Sequence, residues 1–176
     1  GAGSPGYTYA WTTADGSGVV ATDEDQSGLT AGTYNVTATD INGCTIDQIV
    51  VLTEPTQITA ANTPFVYPSG DNISCFGLAD GSIDLTIGAG SPGYTYAWTT
   101  ADGSGVVATD EDQSGLTAGT YNVTATDING CTIDQVVVLT EPTQITAANT
   151  PFVYPSGDNI SCFGFNDGSI DLTIGA

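Results

Sequence analysis

Residues 121–130 read YNVTATDING, and this stretch decides the fold class. Tyr121, Val123 and Ala125 alternate with polar residues, so an extended strand would have one apolar face and one polar face. Asn129-Gly130 then suits a tight hairpin turn, because both central residues of such a turn need positive φ. The β-branched run from 132 to 139 supplies the second strand. The segment therefore predicts an antiparallel β-hairpin.

Further strands are predicted on the N-terminal side of this hairpin, and no segment has a helical period. The best patterned are 58–61, 82–87 and 94–98, and weaker edge strands are expected around 106–107 and 114–116. About seven short strands in roughly 90 residues predict an all-β, immunoglobulin-like β-sandwich. Four aromatic residues are expected in its core, with the last at a tyrosine corner: Tyr94, Tyr96, Trp98 and Tyr121.

The chain repeats itself with a period of 87 residues, since the sequence from Gly1 to Trp11 returns from Gly88 to Trp98. Of the 89 residue pairs at this offset, only three differ. Such a period indicates tandem modules. With boundaries at the Glu-Pro-Thr-Gln segments, 1–55 is the C-terminal part of one repeat, 56–142 a complete repeat and 143–176 the start of the next. The 176 residues are interpreted as a window from a longer array.

The composition is strongly acidic, with 20 Asp and Glu and no Lys, Arg or His. Binding to nucleic acid needs cations, so it is not expected. Nucleophilic pairs that rely on histidine are excluded as well, and we expect no enzyme activity. No apolar run is long enough to cross a bilayer, so membrane insertion is not expected.

The cysteines are two per period: Cys44, Cys75, Cys131 and Cys162. Without His and without a C-x-x-C motif, disulfides in an oxidising, extracellular setting are favoured over metal binding. In an immunoglobulin-like module the A–B turn with Cys75 and the F–G turn with Cys131 lie at opposite poles. This placement favours bridges between consecutive modules. A bond between Cys75 and Cys131 of one module, or free thiols, remain alternatives.

Two other sets of residues are candidate sites. Asp110, Glu111 and Asp112 form an acidic cluster in a loop, and such clusters can bind calcium. Their spacing matches no known calcium loop, so a solvated acidic loop is favoured and no cofactor is expected. The aromatic residues 94, 96 and 98 could stack on sugar rings if they were exposed, but their alternation favours core packing.

The order of short motifs along one period resembles the SprB-type repeat of large surface proteins in Bacteroidota. The resemblance rests on five segments: Cys75-Phe76-Gly77, Asp80-Gly81-Ser82-Ile83, 92–98, 115–121 and 127–131. It implies a cell-surface location, secretion by the type IX system and a role in adhesion or gliding motility.

These observations together predict a stalk or filament segment of a secreted surface adhesin, in which each module acts as a stiff spacer. Its expected partners are the neighbouring repeats of the same chain. One alternative is a module that binds surface polysaccharide by avidity over many copies. Another is a homopolymeric extracellular fibre in which modules associate laterally.

Overall fold

The computed structural model describes residues 4–175, which form eleven β-strands and no helix. The chain divides into two compact units, Gly1–Thr56 and Gln57–Ala176. The first unit contains β1 (Thr8–Thr13), β2 (Gly32–Thr39) and β3 (Thr45–Leu52). They form one antiparallel sheet in the order β1-β2-β3.

The second unit contains eight strands. They are β4 (Thr59–Pro64), β5 (Gly81–Gly88), β6 (Thr95–Thr100), β7 (Gln113–Leu116), β8 (Gly119–Thr126), β9 (Thr132–Leu139), β10 (Thr146–Pro151) and β11 (Ile170–Gly175). Strands β4-β5-β7 form one antiparallel sheet, β6-β8-β9 a second and β10-β11 a two-stranded third. The predicted hairpin is β8–β9, in register from Gly119 opposite Leu139 to Thr126 opposite Thr132.

The two three-stranded sheets pack over one hydrophobic core. Its buried members come from both sheets: Ile83, Leu85, Trp98, Leu116, Tyr121, Val123, Val137 and Leu139. In chain order, β4, β5 and β7 correspond to strands A, B and E of an immunoglobulin-like sandwich, and β6, β8 and β9 to strands C, F and G. The all-β, immunoglobulin-like fold predicted from the sequence is confirmed for this module.

The edge strand expected around Val106-Val107 does not form. The buried side chain of Gln113 takes its place, because its Oε1 accepts from Val107 N at 2.9 Å and its Nε2 donates to Val107 O at 2.9 Å. The same nitrogen donates to Asp110 O at 3.1 Å. One amide side chain thus satisfies the backbone groups that a partner strand would otherwise bind. The described part of the module has six strands rather than seven.

Tyr121 forms a tyrosine corner. Its ring is fully buried, and its hydroxyl donates to Thr117 O at 2.7 Å, four residues upstream. Ser104 N donates to the Tyr121 hydroxyl oxygen at 3.2 Å. Gly103 leaves room for the ring, because a Cβ there would lie 2.4 Å from the tyrosine oxygen. The contact fixes the loop that enters β8 against the loop that follows β6.

Candidate functional site: the two poles of the complete module

The first strand of the complete module starts at one end of the module, and the last strand finishes at the opposite end. We call the end that holds the start of β4, the loop 89–93 and the turn 127–131 the N-terminal pole. The end that holds the loop 69–80 and the segment 139–145 is the C-terminal pole. Strand β9 runs from the first pole to the second, and eight strand residues at about 3.3 Å each separate the poles by more than 20 Å.

At the C-terminal pole, a buried asparagine holds the outgoing chain. Asn72 N and Ile73 N both donate to Thr140 O at 3.0 Å, and Thr140 N donates back to Asn72 Oδ1 at 3.1 Å. The Asn72 amide also donates to Phe65 O at 2.8 Å, just after β4. The A–B loop is thereby tied both to the end of the first strand and to the residue that follows the last strand.

The same loop binds the Glu-Pro-Thr-Gln segment. Gly77 N donates to a carboxylate oxygen of Glu141 at 2.6 Å. A charge-assisted hydrogen bond of this kind is stronger than one between neutral groups. Glu141 therefore restrains the chain where it leaves the module, without any cation being involved.

A second carboxylate shapes the loop around Cys75. Asp80 accepts from Ser74 N at 3.1 Å and from the Ser74 hydroxyl. The hydrogen bonds from Ser74, the hydroxyl first, hold the pKa of Asp80 below its ordinary value. The loop is thus closed on itself, and Cys75 and Phe76 project from its tip, where both are exposed.

A cavity of about 400 Å³, which we call the junction cavity, lies beside this tip. It opens between the A–B loop and the segment that leads into β10. The residues that line it are Ser69, Ser74, Cys75, Phe76, Pro142, Thr143, Gln144 and Ile145.

At the N-terminal pole, Asp127 organises two loops. Its carboxylate accepts from Ser91 N at 3.0 Å, Asn129 N at 3.0 Å and Cys131 N at 2.9 Å, and the side chain is buried. These backbone bonds, that from Ser91 first, lower the pKa of Asp127. The first unit repeats the arrangement at Asp40, which accepts from the backbone N–H groups of Ser4, Asn42 and Cys44. A buried carboxylate can thus stay ionised in a chain without cations.

This arrangement predicts a specific sensitivity to acid. Because the pKa of Asp127 is lowered in the folded state, its stabilising effect is complete above the unfolded value near 4 and is lost as the pH falls through the folded value. Asp127→Asn should therefore flatten the decline in melting temperature below about pH 4. Thermal unfolding between pH 7 and pH 2.5 measures it, with Asp134→Asn on the exposed face of β9 as the control. Parallel curves for wild type and Asp127→Asn would contradict the role given to Asp127.

The structure places Cys75 at the C-terminal pole and Cys131 at the N-terminal pole. Their separation along β9 far exceeds the roughly 4.4–6.8 Å between Cα atoms that a disulfide spans. Cys44, Cys75, Cys131 and Cys162 are all free and exposed, so the described residues contain no disulfide. The alternative bond between Cys75 and Cys131 is therefore wrong for this structure. The partners that bridges between modules would need lie outside these 176 residues.

The acidic cluster has local structural partners. Asp112 Oδ1 accepts from Leu85 N at 3.0 Å, and the Asp110 carbonyl accepts from the Trp98 indole at 2.9 Å. Partial burial raises the pKa of Tyr96 to about 12, and a hydrogen bond to Glu111 adds to the shift. Among residues 4–175, no group of three His, Cys, Asp or Glu side chains is arranged to hold a metal ion.

The aromatic set is divided between core and surface layers. Trp98 is 3% exposed and belongs to the core, whereas Tyr96 packs against that core and is half-buried. Tyr94 is also half-buried, and its hydroxyl donates to Ala89 O at 2.5 Å in the N-terminal pole. These rings form no continuous exposed platform for a sugar.

Comparisons with known proteins point to one family. Residues 70–103 match the model of the SprB repeat. This stretch is similar to the SprB repeat. It covers the A–B loop, β5 and β6, and so includes Cys75, Phe76 and Asp80 of the C-terminal pole. The SprB resemblance seen in the sequence is thereby confirmed for this segment.

One solved structure with similarity is a C-terminal 282-residue fragment of intimin in complex with the intimin-binding domain of the translocated intimin receptor. It is 16% identical, the TM-score is 0.41, and the match covers 88% of this chain. The chain spans about half of that fragment, 55% of its length. No curated protein matches the chain. The described residues also include no helix long and apolar enough to cross a membrane.

Proposed function

We propose that the chain is a spacer segment in the stalk of a large cell-surface adhesin that serves adhesion or gliding motility. The SprB-type repeat at 70–103 supports a surface, adhesin-like and non-enzymatic segment. The proposal includes export to the cell exterior by the type IX system. It assigns specific binding to another part of the protein.

The observation that carries the spacer role is the path of the chain through the complete module. Strand β4 starts at the N-terminal pole and β9 ends at the C-terminal pole, so the two run in the same direction. They lie next to each other, with Asn62 Nδ2 donating to Gln135 Oε1 at 3.0 Å. A pull along the chain therefore acts along both strands and loads the contacts between them in shear.

The bonds at the C-terminal pole support the same role. Asn72 and Glu141 hold the outgoing chain to the A–B loop, which limits bending where one repeat passes into the next. The surface charge of a chain with 20 acidic residues and no basic ones also opposes lateral association. A stalk benefits from both properties, because it has to remain extended and separate from its neighbours.

The test is to change the number of repeats in the protein on its own cells. Deleting one period of 87 residues is expected to shorten the surface filament seen by electron microscopy while adhesion per filament stays unchanged. A binding module acting by avidity would instead lose adhesion with each copy removed. An insertion of one period serves as the matched control and should lengthen the filament. Unchanged filament length in both strains would overturn the spacer role.

The location is tested separately with proteases on intact cells. Trypsin cuts after Lys and Arg, and the chain has neither, so trypsin should release fragments in which residues 1–176 are uncut. A protease specific for Glu should cut within the same segment, which holds exposed glutamates such as Glu54. Mass spectrometry of the released peptides measures both results. If trypsin released no fragment containing the segment from intact cells, and the Glu-specific protease cut within it only after lysis, a surface location would be contradicted.

A further inference from the structure

The junction cavity is apolar at its centre and open to solvent. Its apolar wall consists of Phe76, Pro142 and Ile145. Phe76 is 50% exposed although all the strands of its own module are present, so its own repeat does not cover it. Phe76 lies next to Pro142 and Ile145 in the wall, and contiguous exposed apolar surface of this kind is a feature of interaction sites.

The exposure of two equivalent isoleucines indicates which part of the protein covers this position in a complete repeat. Ile58 in the complete module is 4% exposed, whereas the equivalent Ile145, 87 residues later, is 74% exposed and lines the cavity. The strands that follow these residues pair in the same register, Thr59 with Gly88 and Thr146 with Gly175. The two isoleucines therefore have the same local backbone, and the difference lies in what packs against them.

The loops of the N-terminal pole cover Ile58. A Cβ on Gly90 would lie 3.1 Å from the Cβ of Ile58 and 3.2 Å from the Asp127 carboxylate, so both loops meet at this residue. Beside them Ile128 is 72% exposed at the tip of the F–G turn, and a Cβ on Gly93 would lie 3.3 Å from its Cβ. In a complete following copy, the equivalent loops would pack against Ile145 and lie next to the junction cavity.

Charge restricts the kind of contact that can form there. With no Lys, Arg or His in the chain, two copies cannot pair charges across a junction. Three carboxylates at the two poles are already engaged, Asp80 with Ser74, Glu141 with Gly77 and Asp127 with its own turn. Attraction between copies therefore has to come from apolar surface and from hydrogen bonds.

We infer that the junction cavity is a docking site for the following copy of the repeat, and that the isoleucine at the tip of its F–G turn packs against Phe76. Docking fixes the angle between consecutive modules through a specific contact rather than through the linker alone. It also brings the F–G cysteine of the following copy to the side of the cavity that Cys75 lines. This inference rests on the proposed spacer role and adds the surface through which repeats meet.

The test uses the chain extended by residues 90–142 after Ala176, which completes a second copy at the same period. With the two copies isotopically labelled in turn, residual dipolar couplings give the alignment tensor of each. Docked copies share one tensor. Phe76→Ser is expected to abolish the common tensor, and so is serine in place of isoleucine at the tip of the second F–G turn. The double variant should have no larger effect than either single one.

Ile128→Ser in the first copy is the matched control, because that turn lies at the other pole and should leave the common tensor intact. Amide spectra of each copy establish that both remain folded. If Phe76→Ser unfolds its module, the variant in the second F–G turn still tests the docking. Different tensors in the unaltered chain, or a common tensor in both single variants, would overturn the docking. The spacer role would survive that result, since independently tumbling modules still form a stalk.

Discussion

Replacing Trp98 with alanine is expected to lower the free energy of unfolding of the complete module by about 3–5 kcal/mol, the range for truncating a buried aromatic side chain. Trp98 lies in the core between the two sheets, opposite Val123 on β8. Its indole nitrogen donates to the Asp110 carbonyl at 2.9 Å, so the substitution also removes one of the two side-chain hydrogen bonds to that carbonyl and leaves the one from Gln113. Chemical denaturation followed by circular dichroism measures the loss.

Trp11 offers a matched control within the same chain. It is the equivalent residue 87 positions earlier, and its indole makes the same bond, to Asp23 O at 2.9 Å. It is only half-buried, because residues 4–56 form the single sheet β1-β2-β3 and no second sheet covers it there. Trp11→Ala should therefore cost clearly less than Trp98→Ala. Equal losses, or a loss below about 1 kcal/mol for Trp98→Ala, would contradict the core position assigned to Trp98.

The sequence was sufficient to predict the elements that local chemistry determines. The hairpin β8–β9 follows from alternation and from the Asn129-Gly130 turn, and the position of Tyr121 before strand F indicated its corner. The boundaries proposed at the Glu-Pro-Thr-Gln segments stay a prediction. Calcium binding by residues 110–112 also stays untested.

Other features depend on contacts between residues distant in sequence, and the local sequence pattern does not predict them. Gln113 replaces a strand because its side chain reaches back to Val107, and nothing in its local sequence distinguishes it from a solvent-exposed glutamine. Nothing in the local sequence around Asn72 indicates that it binds Thr140 across 68 residues. Asp127 had a local signal, since Asp-x-Asn-Gly favours a side chain that caps its own turn.

The same distinction explains why the poles could be placed from the sequence but their contacts could not. Strand order alone puts the A–B loop and the F–G turn at opposite ends. The cavity beside Phe76 results from how Glu141 and Asn72 hold the outgoing chain. That arrangement requires the three-dimensional positions of residues from both ends of the repeat.

Oxidation is expected to raise the free energy of unfolding of the joined repeats by about 4–5 kcal/mol per bridge, if Cys75 pairs with the F–G cysteine of the following copy, as the opposite poles of the two turns predict. That cysteine lies one period beyond Cys131, so the bridge would close a loop of roughly 140 residues, which sets the size of the effect. The thiol of Cys75 is exposed beside the junction cavity, where the F–G turn of the following copy is proposed to dock. Comparing denaturation of the extended two-copy chain with and without reductant measures the gain.

Two serine variants separate this bridge from other pairings. Cys75→Ser removes the bridge of the junction between the two copies and should abolish the effect of reductant there. Cys131→Ser in the first copy leaves that bridge intact, since this cysteine would pair with the preceding repeat, and the effect should persist. Peptide mapping without reduction, after cleavage at Asp and Glu, identifies the linked cysteines. Free thiols in secreted material, or only Cys75–Cys131 peptides of one copy, would leave the repeats joined by the backbone and the docked pole alone.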